Sequence, residues 1–434
     1  MAADSAVMVI DGAKGIEPQT RKLFKVCAMR HIPIFTFINK MDREARDPFD
    51  LIDELEKEFG IGTYPMYWPI GCGVEFKGVY ERDRQSILTF DERHAGRKRL
   101  KGIECDINDT EQMDSLIGER AREILTEQIE LLDGACFDFD IEKVRCGQLS
   151  PVFFGSALNN FGVEAFLERF LEMTSAPLSH KSVHPTVEPT EISPFDEPFS
   201  AFVFKIQANM NKAHRDRIAY MRICSGKFER GEEYFHVQAG KPVKLSQPQQ
   251  MMAQEREIID TAYAGDIIGV FDPGIFSIGD TICAKGAKIQ YAGIPTFAPE
   301  HFAVIEQIDS MKRKQFAKGM NQIAQEGAIR IFCEPGSGLE RVYVGVVGEL
   351  QLDVLESRMK NEYNVEYRKY SQPYQYIKRV PNGVNPADLK LYEVKWVQDF
   401  RDGNYLLFPT PWHINYTLEH NEGLTLEEYG RVEE

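Results

Sequence analysis

Apolar positions follow two patterns along this chain, and the change between them falls near residue 199. In the first part, unbroken apolar runs alternate with helical stripes. Ala6 to Ile10 (AVMVI) and Ile32 to Ile38 (IPIFTFI) are continuous, as expected of parallel strands covered on both faces. A helix is predicted between them, from about Glu17 to Arg30. The next helix carries its own punctuation: Asp47 as N-cap, Pro48 at the first helical position and Gly60 at the end. Its Phe49, Ile52, Leu55 and Phe59 fall on one stripe. Ser115 to Leu132 reads as a further amphipathic helix. Pro151 to Leu158 (PVFFGSAL) reads as a third buried strand that runs into a loop. The alternation predicts a parallel α/β sheet with its ligand crevice at the strand C-termini.

Between Ala176 and Phe199 five prolines (Pro177, Pro185, Pro189, Pro194 and Pro198) fall in a polar stretch, the composition of a linker. His180 and His184 are four apart but off any helix, so they read as solvated and not as a metal pair. From Ser200 to Ile289, short strands with turn signals predict an antiparallel β-barrel. From His301 to Tyr370 the order strand, helix, strand, strand, helix, strand is that of a ferredoxin-like α+β unit. The expected domains are therefore 1–176, a linker at 177–198, a barrel at 199–292 and a third domain at 293–434. The residues after Gln372 are its loosely placed extension.

Composition narrows the picture only a little. With 43% hydrophobic and 27% charged residues, the 434-residue chain is an ordinary globular one. No apolar run is long enough to span a bilayer and no leader is evident, so a cytoplasmic protein without membrane contact is expected. Eight scattered cysteines show neither C-x-x-C nor zinc spacing, so reduced thiols and no metal site are expected. The net charge of −16 argues against a generic nucleic-acid binder but leaves room for local basic patches. Three stand out: Arg93 to Lys101, Lys212 to Arg217 (KAHRDR) and Lys312 to Lys314. Such runs are usually solvated faces. Lys212, His214, Arg215 and Arg217 are nevertheless the candidates for contact with RNA phosphates.

The most specific chemistry sits in Phe35 to Asp42, FTFINKMD. Guanine presents two donors on one edge, N1–H and the N2 amino group. An ionised carboxylate at Asp42 accepts both, and such charge-assisted pairs are the strong ones. The Asn39 amide can tie the loop together and reach the base, and Lys40 can lay its apolar stem over the ring. Adenine would leave the carboxylate unpaired, which is costly when buried. N-K-x-D alone is a weak motif. Its place directly after a buried strand strengthens it, as does GSAL (Gly155 to Leu158) after another, where the Ala157 N–H is aimed at guanine O6. No G-x-x-x-x-G-K-[ST] occurs in these residues to hold phosphates. That part is expected on the N-terminal side, outside them.

With these motifs the sequence resembles the translational GTPases, and among them the bacterial peptide chain release factor 3 family. The resemblance runs from about Asp4 to the C-terminus. It rests on AVMVIDGAKGIEPQTRKL, NKMDREARDP, WPIGCGVEFKGVY (Trp68 to Tyr80), FVFKIQANMNKAHRDRIAYMRICSGKFERG (Phe202 to Gly231) and GVVGELQLDVLESRMKNEYNVE (Gly345 to Glu366). It implies a partial P-loop-type GTPase domain with an insertion between NKMD and GSAL, an antiparallel β-barrel and a ferredoxin-like third domain. It implies GTP or GDP with Mg2+ as ligands. The implied partners are the ribosome, through RNA and ribosomal proteins, and the codon-reading release factors, whose GTP-dependent dissociation and recycling it promotes. Asn39, Lys40 and Asp42 match the family's guanine loop, and Ser156 and Ala157 its second base-contacting loop. The phosphate loop, the magnesium-binding threonine and the catalytic histidine have no counterpart here. No catalytic residue is therefore assigned, and this chain alone is expected not to hydrolyse GTP. Two other readings are a ribosome-binding module without catalysis and an elongation factor G-like or ribosomal protection GTPase.

Overall fold

The computed structural model describes residues 2–89, 103–135, 137–208, 217–252, 255–294, 296–400 and 403–430. They form two compact units, Ala3–Ala176 and Pro177–Glu434.

The first unit begins β1 (Ala6–Asp11), α1 (Pro18–Ala28), β2 (Ile34–Asn39), α2 (Pro48–Phe59) and β3 (Gly62–Pro65). The strands β4 (Tyr67–Ile70), β5 (Gly78–Glu81), β6 (Ser86–Thr89) and β7 (Ile103–Asp106) follow. After them come α3 (Thr110–Ile117), α4 (Glu119–Ala135), α5 (Ile141–Arg145), β8 (Leu149–Phe154) and α6 (Val163–Met173). A parallel sheet runs in the order β1-β2-β8-β3, and β4 to β7 form an antiparallel meander.

The helix α2 forms as its punctuation dictates: the Asp47 carboxylate accepts from Phe49 N at 2.8 Å, and Gly60 N closes on Glu56 O at 2.9 Å. Its Ile52 and Leu55 are buried, with Phe49 and Phe59 packed at the margin. Two expectations need correction. The strand β1 is not covered on both faces, because it lies at the sheet edge with β2 as its neighbour. Ile10 is buried, while Val7 and Val9 are 42% and 56% exposed. The helix expected from Ser115 to Leu132 is two helices. Gly118, at φ 84° and ψ 150°, ends α3 in a backbone conformation closed to ordinary side chains. The meander is fixed to its own unit by Trp68, whose Nε1 donates to Gln128 Oε1 at 2.9 Å. It is also held by Arg169 of α6, which meets Glu81 and Asp83 at 3.1 Å each.

The second unit opens on β9 (His180–Ser182) and β10 (Thr190–Ile192), an antiparallel pair within the proline-rich stretch. That stretch is thus more than a bare linker. His180 is buried, not solvated, with its ring 5.9 Å from the rings of Phe202 and Tyr291. His184 is half-buried and accepts from Thr186 N at 3.3 Å.

Next come β11 (Ser200–Ala208), β12 (Arg217–Ser225), β13 (Lys227–Glu229), β14 (Glu233–His236) and β15 (Lys241–Lys244). They are followed by β16 (Ser246–Met252), β17 (Glu255–Ile258), β18 (Thr261–Tyr263), β19 (Ile267–Phe271) and β20 (Thr281–Ala284). Eight of these strands make one antiparallel sheet in the order β15-β14-β20-β11-β12-β19-β16-β17, while β13 pairs with β18. The inward positions Val203, Ile206, Ala219, Met221, Ile268 and Val270 form its core.

The chain continues with β21 (His301–Gln307), α7 (Arg313–Gln325), β22 (Arg330–Phe332), β23 (Arg341–Val346), α8 (Leu350–Tyr363) and β24 (Tyr367–Gln372). The sheet order is β22-β23-β21-β24, antiparallel throughout. Alternate residues of β21 face opposite ways, as the strand period requires. Ala303 and Ile305 pack with the helix residues Phe316, Met320 and Leu355. Phe302 and Val304 pack with Ile377, Val397 and Leu407. Those last residues belong to a second sheet built from the extension: β25 (Tyr376–Arg379), β26 (Lys395–Gln398), β27 (Asn404–Phe408) and β28 (Glu427–Glu428), with α9 (Pro411–His420).

Arg217 corrects the reading of the KAHRDR run. It is 8% exposed, with Nε 2.6 Å from Asp272 Oδ2 and a guanidinium N–H donated to Phe276 O at 3.0 Å. It also donates to Gln325 Oε1 at the end of α7. Asp272 in turn accepts from the N–H groups of Gly274, Ile275 and Phe276. An arginine so spent is part of the fold and not a free cation for RNA. Arg217→Ala should cost about 3–5 kcal/mol, because it strands the buried Asp272 charge. The double change Arg217→Met with Asp272→Asn, which removes both charges and keeps an acceptor for the three amides, should recover a large part of that loss. Urea unfolding of the three proteins measures both, and a single variant as stable as the parent would refute the assignment.

Candidate functional site

The site is built where two parallel strands end level. The register Thr36↔Val152, Phe37↔Phe153, Ile38↔Phe154 brings the C-termini of β2 and β8 side by side. The ladder continues beyond the strands, with Gly155 N donating to Ile38 O at 3.0 Å and Met41 N to Gly155 O at 3.1 Å. Only glycine fits at 155: a Cβ there would lie 2.4 Å from Phe161 O and 2.8 Å from the Phe37 ring.

Asn39 then joins the two loops. Its Oδ1 accepts from Lys40 N at 2.8 Å and from Ala157 N at 2.9 Å. Ser156 is buried and exchanges backbone hydrogen bonds with Phe161, at 3.0 and 2.8 Å, so the loop closes on itself. Lys40 sits at φ 71°, a left-handed conformation that costs a lysine about 1–3 kcal/mol and persists because its neighbours hold it. Its Nζ meets Asp11 Oδ2 at 2.6 Å. Asp11, at the end of β1, also accepts from Ala13 N at 2.9 Å. The bonded Lys40 ammonium holds the Asp11 carboxyl below the usual carboxylate range. Its hold on the rim is therefore present at neutral pH and lost only as pH falls through that lowered value.

Asp42 differs from the hydrogen-bonded Asp11. Its side chain is 16% exposed, its Oδ1 is shut from solvent with no hydrogen-bond partner, and Arg43 Nε stands 4.0 Å from Oδ2. Asp42 thus carries a carboxylate oxygen with no hydrogen-bond partner among the described residues.

The structure thus gathers Asn39, Lys40 and Ala157 into one bonded cluster, with Ser156 beneath it and Asp42 two residues on. One detail differs from expectation: the Ala157 N–H is already donated to Asn39 Oδ1 and does not stand open. Sequence reasoning missed Asp11. Its signal was a carboxylate directly after the first buried strand, the place Asn39 holds after the second. Lys212, His214 and Arg215, and the Arg93 to Lys101 run, lie outside the described residues. In the third basic run, Lys312 Nζ donates to Asn364 O at 2.7 Å and Arg313 pairs with Glu340 at 2.6 Å.

Three family models match successive parts of the chain. The model described as "Elongation factor Tu GTP binding domain" matches residues 1–176, and "Elongation factor G domain 2" matches 198–285. "Class II release factor RF3, C-terminal domain" matches 291–418. A peptide chain release factor 3 from Symbiobacterium thermophilum is 51% identical over 98% of this chain and 79% of its own length. The chain belongs to the peptide chain release factor 3 family. A second member, from Trichodesmium erythraeum, is 46% identical over 97% of this chain and 77% of its own length. Release factor 3 proteins are translation termination factors with a GTP-binding domain, and this chain is one of that kind. A crystal structure of a protein from Thermus thermophilus shares the fold, with a TM-score of 0.63 at 19% identity. It is covered for 58% of its length by 93% of this chain. No helix among the described residues is long and apolar enough to cross a membrane.

Asn39→Ala would free two amides at once. At about 1 kcal/mol per neutral hydrogen bond, hydrogen exchange at the Ala157 amide should quicken about fivefold. Amides in the core of β8 should not change. Unchanged exchange at Ala157 would show that the loop is held by something other than Asn39.

Proposed function

We propose that this chain carries the guanine-reading half of a release factor 3 nucleotide site and the domains that engage the ribosome. In this reading Asp42 takes the N1–H and N2 donors of GTP or GDP, and Lys40 covers the base. Asn39 holds the Ala157 amide at the rim, where it is shared with O6. The Asp42 Oδ1, which has no hydrogen-bond partner and is free to turn outward to the base, is the observation that carries the reading. The nucleotide state then governs dissociation of the codon-reading release factors and their recycling, in the cytoplasm. The eight-stranded sheet supports the barrel assignment, and the order β22-β23-β21-β24 with two helices on one face supports the ferredoxin-like one. The division 1–176, 177–198, 199–292 and 293–434 belongs to the same reading.

Phosphates and Mg2+ would be held by sequence of a kind these 434 residues do not contain. The base contacts available are one charge-assisted pair, at ~1.5–3 kcal/mol per bond, and a few neutral bonds of about 1 kcal/mol. Immobilising the ligand costs at least ~4 kcal/mol, so these residues as a separate polypeptide should bind GDP no tighter than about millimolar and should not hydrolyse GTP. Calorimetry beside a longer polypeptide that includes a phosphate loop tests this, with micromolar binding by the shorter one as the contrary result. In the longer polypeptide, Asp42→Asn should weaken GDP and favour the xanthine nucleotide, whose C2 oxygen accepts from an amide. Unaltered GDP affinity would sink the Asp42 assignment.

With Arg217 spent inside the fold, ribosome contact in the KAHRDR run rests on Lys212, His214 and Arg215. Lys212→Ala with Arg215→Ala should reduce co-sedimentation with ribosomes and flatten its salt dependence. Identical pelleting of variant and parent across a salt series would remove these residues from the interface.

A further inference from the structure

The outer face of α9 carries rings at every fourth position. Trp412 and Tyr416 have centroids 5.2 Å apart, and Tyr416 and His420 stack at 3.9 Å with 20° between planes. Tyr392, from the loop before β26, adds a fourth ring 5.8 Å from Tyr416 and 6.2 Å from Trp412. The helix is anchored by its other face, where His413 and Thr417 are buried. Thr417 Oγ1 donates to His413 O at 2.8 Å, and Thr410 Oγ1 lies 2.9 Å from His413 Nδ1. Tyr392 and Trp412 rest on the buried His413 ring, at 6.2 and 5.0 Å, and leave their remaining surface outward. Trp412 is 56% exposed and Tyr392 50%. Exposed, mutually stacked aromatics on a rigid helix are a prepared surface, because little side-chain freedom remains to be lost on binding.

Charge decides what the surface fits. Glu419 lies on α9 between Tyr416 and His420, and Glu393 follows Tyr392 and faces His413 Nε2 at 3.5 Å with 64% of its side chain exposed. Asp388 and Glu422 extend the same two segments, against one lysine, Lys390. A stacking platform for RNA needs cations to track the phosphates, and this one is acidic. A guanidinium meets both features at once, since it is planar enough to lie on indole and phenol faces and bonds carboxylates at its edge. The geometry points to α9 and the Tyr392 loop as a docking surface for an arginine-bearing basic segment of another protein. The inference is independent of the nucleotide site and of the KAHRDR run.

The test uses the whole 434-residue chain and dye-labelled peptides Gly-Arg-Gly-Arg-Gly-Arg-Gly, with lysine and glutamine in place of arginine. Fluorescence anisotropy at low salt is the readout. The expected affinity order is arginine, then lysine, then glutamine. Trp412→Ala and Glu419→Gln should each weaken the arginine peptide at least fivefold, with unchanged circular dichroism and unfolding midpoint. Trp412→Leu keeps apolar cover over the helix, so loss of binding there too assigns the effect to the ring. Equal binding by parent and Trp412→Leu would overturn the proposal, since the chain's general negative charge would then explain the attraction. Tighter binding of an oligouridylate than of the arginine peptide, lost in the Trp412 variants, would overturn it in favour of RNA.

Discussion

One acceptor atom organises the nucleotide half of this protein. Asn39 Oδ1 takes N–H groups from its own loop and from the loop after β8, 118 residues on, at 2.8 and 2.9 Å. That convergence requires the β2–β8 register, because a slip of one residue would turn Asn39 to the opposite face. The register is in turn set by side chains that fit only one way: Phe35, Ile38, Val152, Phe153 and Phe154 are all essentially buried. Gly155 lets its own loop close and lie against β2, since a Cβ there would strike Phe161 O and the Phe37 ring. Below the rim, Thr36 and Ser150 pair their hydroxyls at 2.8 Å, so even the polar residues of the two strands are satisfied between themselves.

How much of this was legible depends on whether the deciding partner was near in sequence. The helix α2 was fully legible, because Asp47, Pro48 and Gly60 act on their own neighbours. The site residues were legible because the chemistry of N-K-x-D is local and the strand before it is unmistakable. Which face of β1 is exposed was not, since AVMVI carries no polar alternation to mark it. The second sheet of the C-terminal unit was hidden for a related reason. Phe302, Val304 and Ile377 are apolar, but which sheet they face depends on segments up to a hundred residues apart. His180 was misread because its partners, Phe202 and Tyr291, are distant in the chain.

The basic runs make the same point with charges. A cluster of Lys and Arg along one segment is a one-dimensional signal, while availability is decided by burial. Arg217 belongs to such a run, yet it is buried against Asp272, whereas Arg313 pairs with Glu340 and stays exposed. Reading charge density as contact overcounts every cation whose partner lies across a sheet.

Carboxylates can be sorted by the same accounting, and here it separates structure from function. Asp272 takes three amides on Oδ1, and its Oδ2, buried without a hydrogen bond, is compensated by Arg217 Nε at 2.6 Å. Asp280 is filled by Ser277 N at 2.7 Å and His236 Nε2 at 2.8 Å. Glu81, whose Oε1 is also buried without a hydrogen bond, is compensated by Arg169 and Arg84 at 3.1 and 3.5 Å. Asp42 has a buried oxygen too, but its cation stands 4.0 Å away on the adjacent residue. Leaving such an acceptor unmet costs on the order of 1–3 kcal/mol or more, a cost that stability alone gives no reason to keep. A ligand with two donors on one edge removes it, and one lacking them does not. In the reading proposed above, discrimination between guanine and adenine rests on this oxygen, carried three residues beyond a strand whose register its neighbours hold.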